Sequence, residues 1–262
     1  MPSYIDQIGN AIHLEKVDSI LSLVPSQTEL LYHLGLEDKV VGITKFCIKP
    51  EKWFRSKTRI GGTKSLNLDL IRSLQPDLII GNKEENNQVE IEQLISERFN
   101  VWMSDIYTDD DNLAMIRSLG EICNVRPAAN NIVNQLTSKP VVFPKLDLSV
   151  CYFIWKDPYF IVGNHNYINF NLNKIGLNNA AEHINRYKEI SVEEILNLKT
   201  DYYLFSSEPY PFSSKHLSEL ESVFGKGKCI LVDGEMFSWT GYRPVLALEY
   251  FSSFLEELKH NL

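Results

Sequence analysis

One sequence pattern occurs twice in this chain, and the two copies align at a single offset of 124 residues. Residues 70–85 read LIRSLQPDLIIGNKEE and residues 194–209 read EILNLKTDYYLFSSEP, so that Asp77 matches Asp201. In each copy, Leu and Ile at helical spacing precede the Asp, and a run of apolar residues follows it. This change of period predicts a helix, a turn, a short buried strand and then a polar loop carrying a Glu. Because the copies lie too far apart for a solenoid, they indicate two lobes of similar build.

The signals for helix ends predict further α/β structure around the two copies. Ser191 and Glu194 form an S-x-x-E capping box, and Asn67 occupies the N-cap position of the first copy. Ser26 and Glu29 predict another capping box at the start of an earlier helix. Strands are predicted at residues 19–25, 40–46, 101–105, 148–155 and 229–233, and a final helix at residues 244–258.

The alternation of strands and helices predicts an α/β fold in two similar lobes, each a parallel β-sheet flanked by helices. Residues 1–109 are assigned to the N-terminal lobe, residues 110–140 to a helical linker and residues 141–262 to the C-terminal lobe. Pro127 divides the linker into two helical stretches, and Pro140 ends the second. In an open α/β sheet, ligands bind beyond the carboxyl ends of the strands, so the loops at those ends are the candidate binding site.

Charge and cysteine content exclude several classes of function. The net charge of -8 argues against a nucleic-acid partner or an anionic membrane surface, because both require a cationic face. The four cysteines show no C-x-x-C spacing, so we expect free thiols rather than a disulfide framework or a zinc site. No apolar stretch reaches about 18 residues, so we expect no direct insertion into a membrane.

The first residues carry no export signal that the sequence makes visible. Residues 1–24 lack the basic region, the apolar core and the small-residue cleavage site of a secretory signal. If Met1 is the native start, we expect a cytoplasmic protein.

Several segments together carry a resemblance to a known family. The segments are SLVPSQTELLYHLGLEDKVVGIT, GGTKSLNLDLIRSLQPDLIIGNKEEN, PYFIVGNHN, LNKIGLNNAA and EISVEEILNLKTDYYLFSSEPYPF. They resemble the helical-backbone (class III) substrate-binding proteins of ABC importers, which are receptors for vitamin B12, haem and ferric siderophores. The cobalamin-binding proteins are the most similar members. This resemblance covers most of the chain and implies a periplasmic or surface-associated protein.

The resemblance also implies an architecture and a partner. It implies two α/β lobes joined by a rigid helical backbone, with a shallow cleft between them that is lined by aromatic residues. It further implies one acidic residue on each lobe that docks to arginines of a permease. Glu84 or Glu85 and Glu208 lie in the corresponding loops, and the internal repeat independently pairs Glu84 with Glu208. The helical stretch after Pro127 is about half as long as the family's linking helix, so the hinge is expected to be built differently.

The loops after the strands supply the candidate ligand contacts. Their aromatic residues suit a large planar ligand, such as a corrin or a porphyrin, with apolar faces and a polar rim. Lys64 and Arg243 are cations that can pair with carboxylates on such a rim. The candidate residues are Ser26, Gln27, Thr28, Phe46, Cys47, Thr63, Lys64, Trp155, Tyr159, Tyr210, Phe237, Trp239 and Arg243.

Neither a metal site nor a catalytic site is indicated by the residue spacing. The six histidines form no H-x-H or H-E-x-x-H pattern, and the chain lacks G-x-S-x-G, P-loop and G-x-G-x-x-G motifs. We therefore predict a monomeric solute-binding protein without catalysis or cofactor, which binds a corrinoid or an iron chelate and delivers it to an ABC permease. The alternatives are a cytosolic chelate carrier or enzyme on the same fold, and an interaction module without ligand.

Overall fold

The computed structural model describes residues 2–138 and 141–260, in which short strands and helices alternate. The strands are β1 (Ser3–Ile5), β2 (Ala11–His13), β3 (Ile20–Ser22), β4 (Val40–Ile43), β5 (Thr58–Arg59), β6 (Gly61–Gly62), β7 (Ser65–Leu66), β8 (Leu78–Asn82), β9 (Val101–Ser104), β10 (Ser149–Trp155), β11 (Phe160–Val162), β12 (Asn178–Asn179), β13 (Tyr187–Glu189), β14 (Tyr202–Ser206) and β15 (Cys229–Val232). The helices are α1 (Pro25–His33), α2 (Glu51–Ser56), α3 (Leu68–Leu74), α4 (Gln88–Ser96), α5 (Asp109–Ile122), α6 (Arg126–Thr137), α7 (Tyr167–Lys174), α8 (Val192–Asn197), α9 (Ser214–Phe224), α10 (Gly234–Ser238) and α11 (Arg243–His260).

The chain divides into two compact units, which we call the first and second lobes. The first lobe comprises Met1–Lys139 and Thr240–Val245, and the second comprises Pro140–Trp239 and Leu246–Leu262. Helices α5 and α6, predicted as a separate linker, belong to the first lobe, and the predicted break at Pro127 lies in the first turn of α6. The domain boundaries proposed from the sequence stay predictions, and Pro140 lies outside the described residues.

The first lobe is built on a five-stranded parallel sheet in the order β5-β4-β3-β8-β9. Leu21, Ile79 and Val101, from three neighbouring strands, pack in one hydrophobic core. A hairpin of β1 and β2, which the sequence did not predict, is attached through Asp6, whose carboxylate accepts a hydrogen bond from the Met103 backbone N–H at 3.0 Å. Because all five strands run in the same direction, the loops that follow them gather at one edge of the sheet.

The second lobe contains a mixed sheet in the order β13-β11-β10-β14-β15, with β12 paired beside β10. Strands β12, β10, β14 and β15 run parallel, β11 pairs antiparallel to β10, and β13 pairs antiparallel to β11. Alternate residues of β10 enter opposite cores, Val150 and Tyr152 on one face and Cys151 and Phe153 on the other. The predicted α/β lobes with parallel strands flanked by helices are confirmed. Strand β11 lies in the segment from 156 to 166, for which no strand was predicted.

The internal repeat has a structural counterpart in both lobes. Helix α3 precedes β8 in the first lobe, and α8 precedes β14 in the second. In both copies, the Asp side chain accepts a hydrogen bond at the start of the neighbouring strand: Asp77 from the Ser19 N–H and Asp201 from the Ser149 N–H, each at 2.8 Å. The repeated Asp therefore fixes where the central strand of each sheet begins.

Several donors hold the Asp77 carboxylate in its ionised form. Burial acts to raise the pKa of Asp77, but the backbone N–H groups of Asp18 and Ser19, the Ser19 hydroxyl and the charge of Lys16 outweigh it and hold that pKa below its ordinary value. The ionised form of Asp77 therefore stabilises the first lobe.

Two of the three predicted helix starts are confirmed. The Asn67 side chain accepts from the Leu70 N–H at 3.0 Å, and Ser191 and Glu194 form the predicted capping box. The capping box predicted at Ser26 and Glu29 is wrong, because α1 begins one residue earlier at Pro25 and its N-cap residue makes no side-chain cap. Proline suits the first helical position since its missing N–H needs no partner there. Ser26 and Glu29 are therefore available for other contacts.

Within residues 2–138 and 141–260, no helix is both long and apolar enough to cross a bilayer. The same residues contain no group of three or more His, Cys, Asp or Glu side chains placed to hold a metal ion.

Candidate functional site

Polar side chains at the carboxyl edge of the first sheet form a buried hydrogen-bond network. The Ser22 and Thr28 hydroxyls lie 2.7 Å apart, and the Thr28 hydroxyl donates to the Cys47 sulfur at 3.0 Å. The Thr44 hydroxyl lies 3.1 Å from the same sulfur. Burial raises the pKa of the Cys47 thiol, so it stays protonated. Cys47 was predicted to contact a ligand from a loop, but it is fully buried, and its contacts with Thr28 and Thr44 connect α1 to the end of β4.

Ser26 and Gln27, also predicted to contact a ligand, lie buried in the first turn of α1. The Gln27 amide nitrogen donates to the Gly81 carbonyl at 2.9 Å and to the Ser104 hydroxyl at 2.6 Å. Gln27 thereby connects α1 to the ends of β8 and β9. Ser26, Gln27 and Thr28 therefore lie in the interior of the first lobe.

Lys64 holds a neighbouring loop in place. It extends from the turn between β6 and β7, and its ammonium donates to the Glu84 carbonyl at 2.7 Å and to the Asn86 carbonyl at 3.3 Å. The Asn86 amide in turn donates to the Thr63 carbonyl at 3.1 Å. Lys64 was predicted to pair with a ligand carboxylate, whereas in this structure its ammonium donates to backbone carbonyls of the loop that contains Glu84.

The loops that carry the predicted docking acids have matching turns in the two lobes. In the first, the Asn82 side chain accepts from the N–H groups of Glu84 at 2.8 Å and Glu85 at 3.0 Å. In the second, the Ser206 hydroxyl accepts from the Glu208 N–H at 3.3 Å. The last residue of the strand thus bonds to the Glu two positions later in each lobe, as the repeat predicted for Glu84 and Glu208.

The Glu208 carboxylate is held by partners that the repeat did not reveal. It accepts from the Ser238 hydroxyl at 2.7 Å and from the Trp239 side chain. Burial raises the pKa of Glu208 above its ordinary value. Gly234 makes this approach possible, since a Cβ there would lie 2.2 Å from the Ser206 hydroxyl oxygen and 2.7 Å from Glu208 Cγ. The sequence signal that could have indicated this close packing was the Asp-Gly pair at 233–234.

Exposed Trp155 and half-buried Tyr210 form an aromatic pair at the carboxyl ends of β10 and β14. Trp155 ends β10 and is 42% exposed, and its ring contacts that of Tyr210 edge to face at a centroid distance of 5.7 Å. The Tyr210 N–H donates to the Ile154 carbonyl at 3.2 Å, which fixes the loop after β14 against β10. Both side chains were predicted as ligand contacts, and that role stays a prediction.

The remaining predicted aromatic contacts differ in exposure. Tyr159 is half-buried against Phe153, at a centroid distance of 5.5 Å. Phe237 is fully buried between Tyr152 and Phe251 in the core of the second lobe, and Trp239 is also buried. Phe237 and Trp239 were expected to face a ligand, but packing and the Glu208 contact account for their positions in this structure.

Arg243, the second cation expected to pair with a ligand, forms a buried ion pair. Its Nε donates to Glu29 Oε2 at 3.0 Å and its Nη2 to Glu29 Oε1 at 2.6 Å. Arg243 is 3% exposed and Glu29 is 7% exposed, both within the first lobe. Their separation of 214 positions in sequence explains why no local pattern indicated the pair. The bidentate contact fixes the guanidinium against Glu29, so Arg243 anchors Thr240–Val245 to α1.

Comparison with known proteins decides which family has this arrangement. The family model described as periplasmic binding protein matches residues 20–222, which include both repeat copies and the central strands of both sheets. The chain belongs to the periplasmic binding protein family. The family predicted from the sequence is therefore confirmed.

Two relatives of this periplasmic binding protein carry descriptions that concern transport. The first, from Bacillus subtilis strain 168, is described as an uncharacterized ABC transporter substrate-binding lipoprotein, YvrC; it is 27% identical over 194 residues, which are 70% of this chain and 61% of that protein. The second is the vitamin B12-binding protein of Vibrio parahaemolyticus, 25% identical over 221 residues, or 82% of this chain and 77% of the relative. The match thus spans less than two thirds of the first relative.

Solved structures share the fold over nearly the whole chain. The periplasmic vitamin B12-binding protein BtuF of Vibrio cholerae has a TM-score of 0.76 and 20% identity, covering 93% of this chain and 98% of that one. The periplasmic heme-binding protein RhuT from Roseiflexus sp. RS-1 has a TM-score of 0.76 and 19% identity, covering 92% of this chain and 98% of that one. At these identities the likeness establishes the fold.

Proposed function

We propose that this chain is the substrate-binding component of an ABC importer that binds a planar metal chelate, either a corrinoid or an iron chelate such as haem. The observation that carries the proposal is the aromatic pair of exposed Trp155 and half-buried Tyr210 at the carboxyl ends of parallel strands, in a member of the periplasmic binding protein family. The descriptions of the relatives as vitamin B12-binding or heme-binding proteins support the choice of ligand class.

The exposed aromatic residues suit a flat ligand for a physical reason. Phe46, after β4 in the first lobe, is 52% exposed, and Trp155 is 42% exposed in the second. Covering large solvent-exposed rings with another apolar face is favourable, because apolar surface is removed from water. A macrocycle offers such a face while keeping its polar rim in solvent. Phe46, Trp155 and Tyr210 are therefore the residues we assign to the ligand.

Delivery to a permease is the second part of the proposal. Glu84 and Glu85 in the first lobe and Glu208 in the second lie in loops with matching backbone turns. We assign these acids to docking on cationic groups of the permease, where charge complementarity would set the orientation of the complex.

The ligand assignment is tested with Trp155→Ala, measured by titration with cobalamin, cobinamide, haemin and a ferric hydroxamate. Loss of the stacking face should weaken binding by about 1–3 kcal/mol while the melting temperature stays nearly unchanged. Leu196→Ala is the matched control, since Leu196 is a similarly exposed apolar residue on α8. Equal affinities of the two variants for every chelate that the parent binds would remove Trp155 from the ligand surface.

A further inference from the structure

The ligand surface that we propose for the first lobe has a cation, Lys45, that no sequence pattern indicated. Lys45 lies two residues after the end of β4, and its ammonium lies over the ring of the exposed Phe46 at 5.1 Å from the centroid. Both residues pack against the β6–β7 turn, because a Cβ on Gly62 would lie 3.2 Å from Phe46 Cε2 and 3.3 Å from Lys45 Cε. Ile48, two residues further along, is 49% exposed. An exposed apolar surface with a cation at its border is thus present at the carboxyl edge of the sheet.

Three other cations of the first lobe bind groups of the protein itself. Lys64 donates to backbone carbonyls and Arg243 pairs with buried Glu29. Lys52, in the helix that follows, forms an ion pair with Glu37 at 2.6 Å. Within the described parts of the chain, Lys45 is exposed and forms no ion pair. Its charge is therefore available to a ligand that covers Phe46.

We propose that Lys45 is a specificity-determining residue that selects chelates with free carboxylates on their rim. This inference rests on the proposed function and narrows its substrate class. A macrocycle packed on Phe46 brings its edge within the reach of the Lys45 ammonium, which forms a charge-assisted hydrogen bond with a carboxylate. Amide or ester groups on the same rim are neutral and gain much less from the ammonium. The chain should therefore prefer a dicarboxylate such as haemin over chelates whose rim carries only amides.

The test measures affinity for haemin and for haemin dimethyl ester, in which both carboxylates are blocked. Lys45→Gln should weaken haemin binding about three- to fivefold, as expected for a partly exposed ion pair, and change binding of the ester less than about twofold. Lys45→Arg should retain the preference for haemin. The haemin effect should shrink as salt is raised, since the charges are near solvent. Lys52→Gln, the matched control with the same change of charge, should leave both affinities unchanged.

The outcomes separate this inference from the proposed function. Equal losses for haemin and its ester in Lys45→Gln, or no loss for either, would overturn the role of Lys45 while the chain remained a chelate-binding protein. Tight binding of cobinamide or cobalamin with no binding of haemin would do the same. Failure of the parent protein to bind any chelate would refute the proposed function itself.

Discussion

Replacing Arg243 with Met should destabilise the first lobe strongly while leaving chelate binding by the folded protein unchanged. The guanidinium makes two hydrogen bonds to Glu29, and both side chains are more than nine-tenths buried. Removing one partner leaves the Glu29 carboxylate buried without its counter-charge, which costs about 3–5 kcal/mol. For a chain of this length, about 2–4 °C of melting temperature is lost per kcal/mol, so a loss of roughly 6–20 °C is expected.

Thermal melting and urea unfolding of three variants measure this effect. Arg243→Met and Glu29→Met should each lower stability, whereas the double variant should recover most of the loss because no buried charge remains. Chelate affinity is then measured well below the melting temperature of each variant. If Arg243→Met left melting unchanged and weakened chelate binding more than about tenfold, Arg243 would be the ligand residue that the sequence suggested and the anchoring role would be refuted.

Two further predictions concern the acids of the paired loops. Burial raises the pKa of Glu208 above its ordinary 4.5, so the parent protein should lose stability as the pH rises from about 4.5 through the folded-state pKa. Glu208→Gln should lack this pH dependence. If the melting temperatures of the two proteins changed in parallel with pH across that window, the burial argument would be contradicted. The double variant Glu84→Lys, Glu85→Lys should leave chelate affinity intact but lower permease-dependent uptake at least about tenfold. The control Glu92→Lys, on the exposed face of α4, should leave uptake unchanged. Uptake by the double variant at the parent rate would remove the docking assignment.

The fold could be predicted from local sequence patterns because each pattern has a local physical cause. The repeat predicted α3 and β8 together with α8 and β14, since helical and strand periods are properties of neighbouring residues. The cap at Asn67 followed in the same way. The start of α1 was misplaced because Ser26 and Glu29 match a capping box while Pro25 also suits a first helical position.

The candidate site was harder to predict because it depends on contacts between distant residues. Position at or beyond the ends of predicted strands selected Phe46 and Trp155, which are exposed, together with Phe237, which packs in a core, because no local pattern distinguishes the two cases. The partners of Lys64 and Arg243 come from elements far away in sequence, so neither pairing leaves a local pattern. No sequence pattern indicated Lys45, because its position over Phe46 and against the β6–β7 turn depends on the folded structure.

The central claim is that this chain reversibly binds a planar metal chelate, and titration of the purified protein tests it most directly. Absorbance and heat are followed while cobalamin, cobinamide, haemin and a ferric hydroxamate are added in turn. We expect saturable binding of at least one planar chelate, with a dissociation constant on the order of micromolar or tighter and recovery of the unchanged ligand after denaturation. Absence of saturable binding to every planar chelate, or recovery of a chemically altered product, would contradict the account.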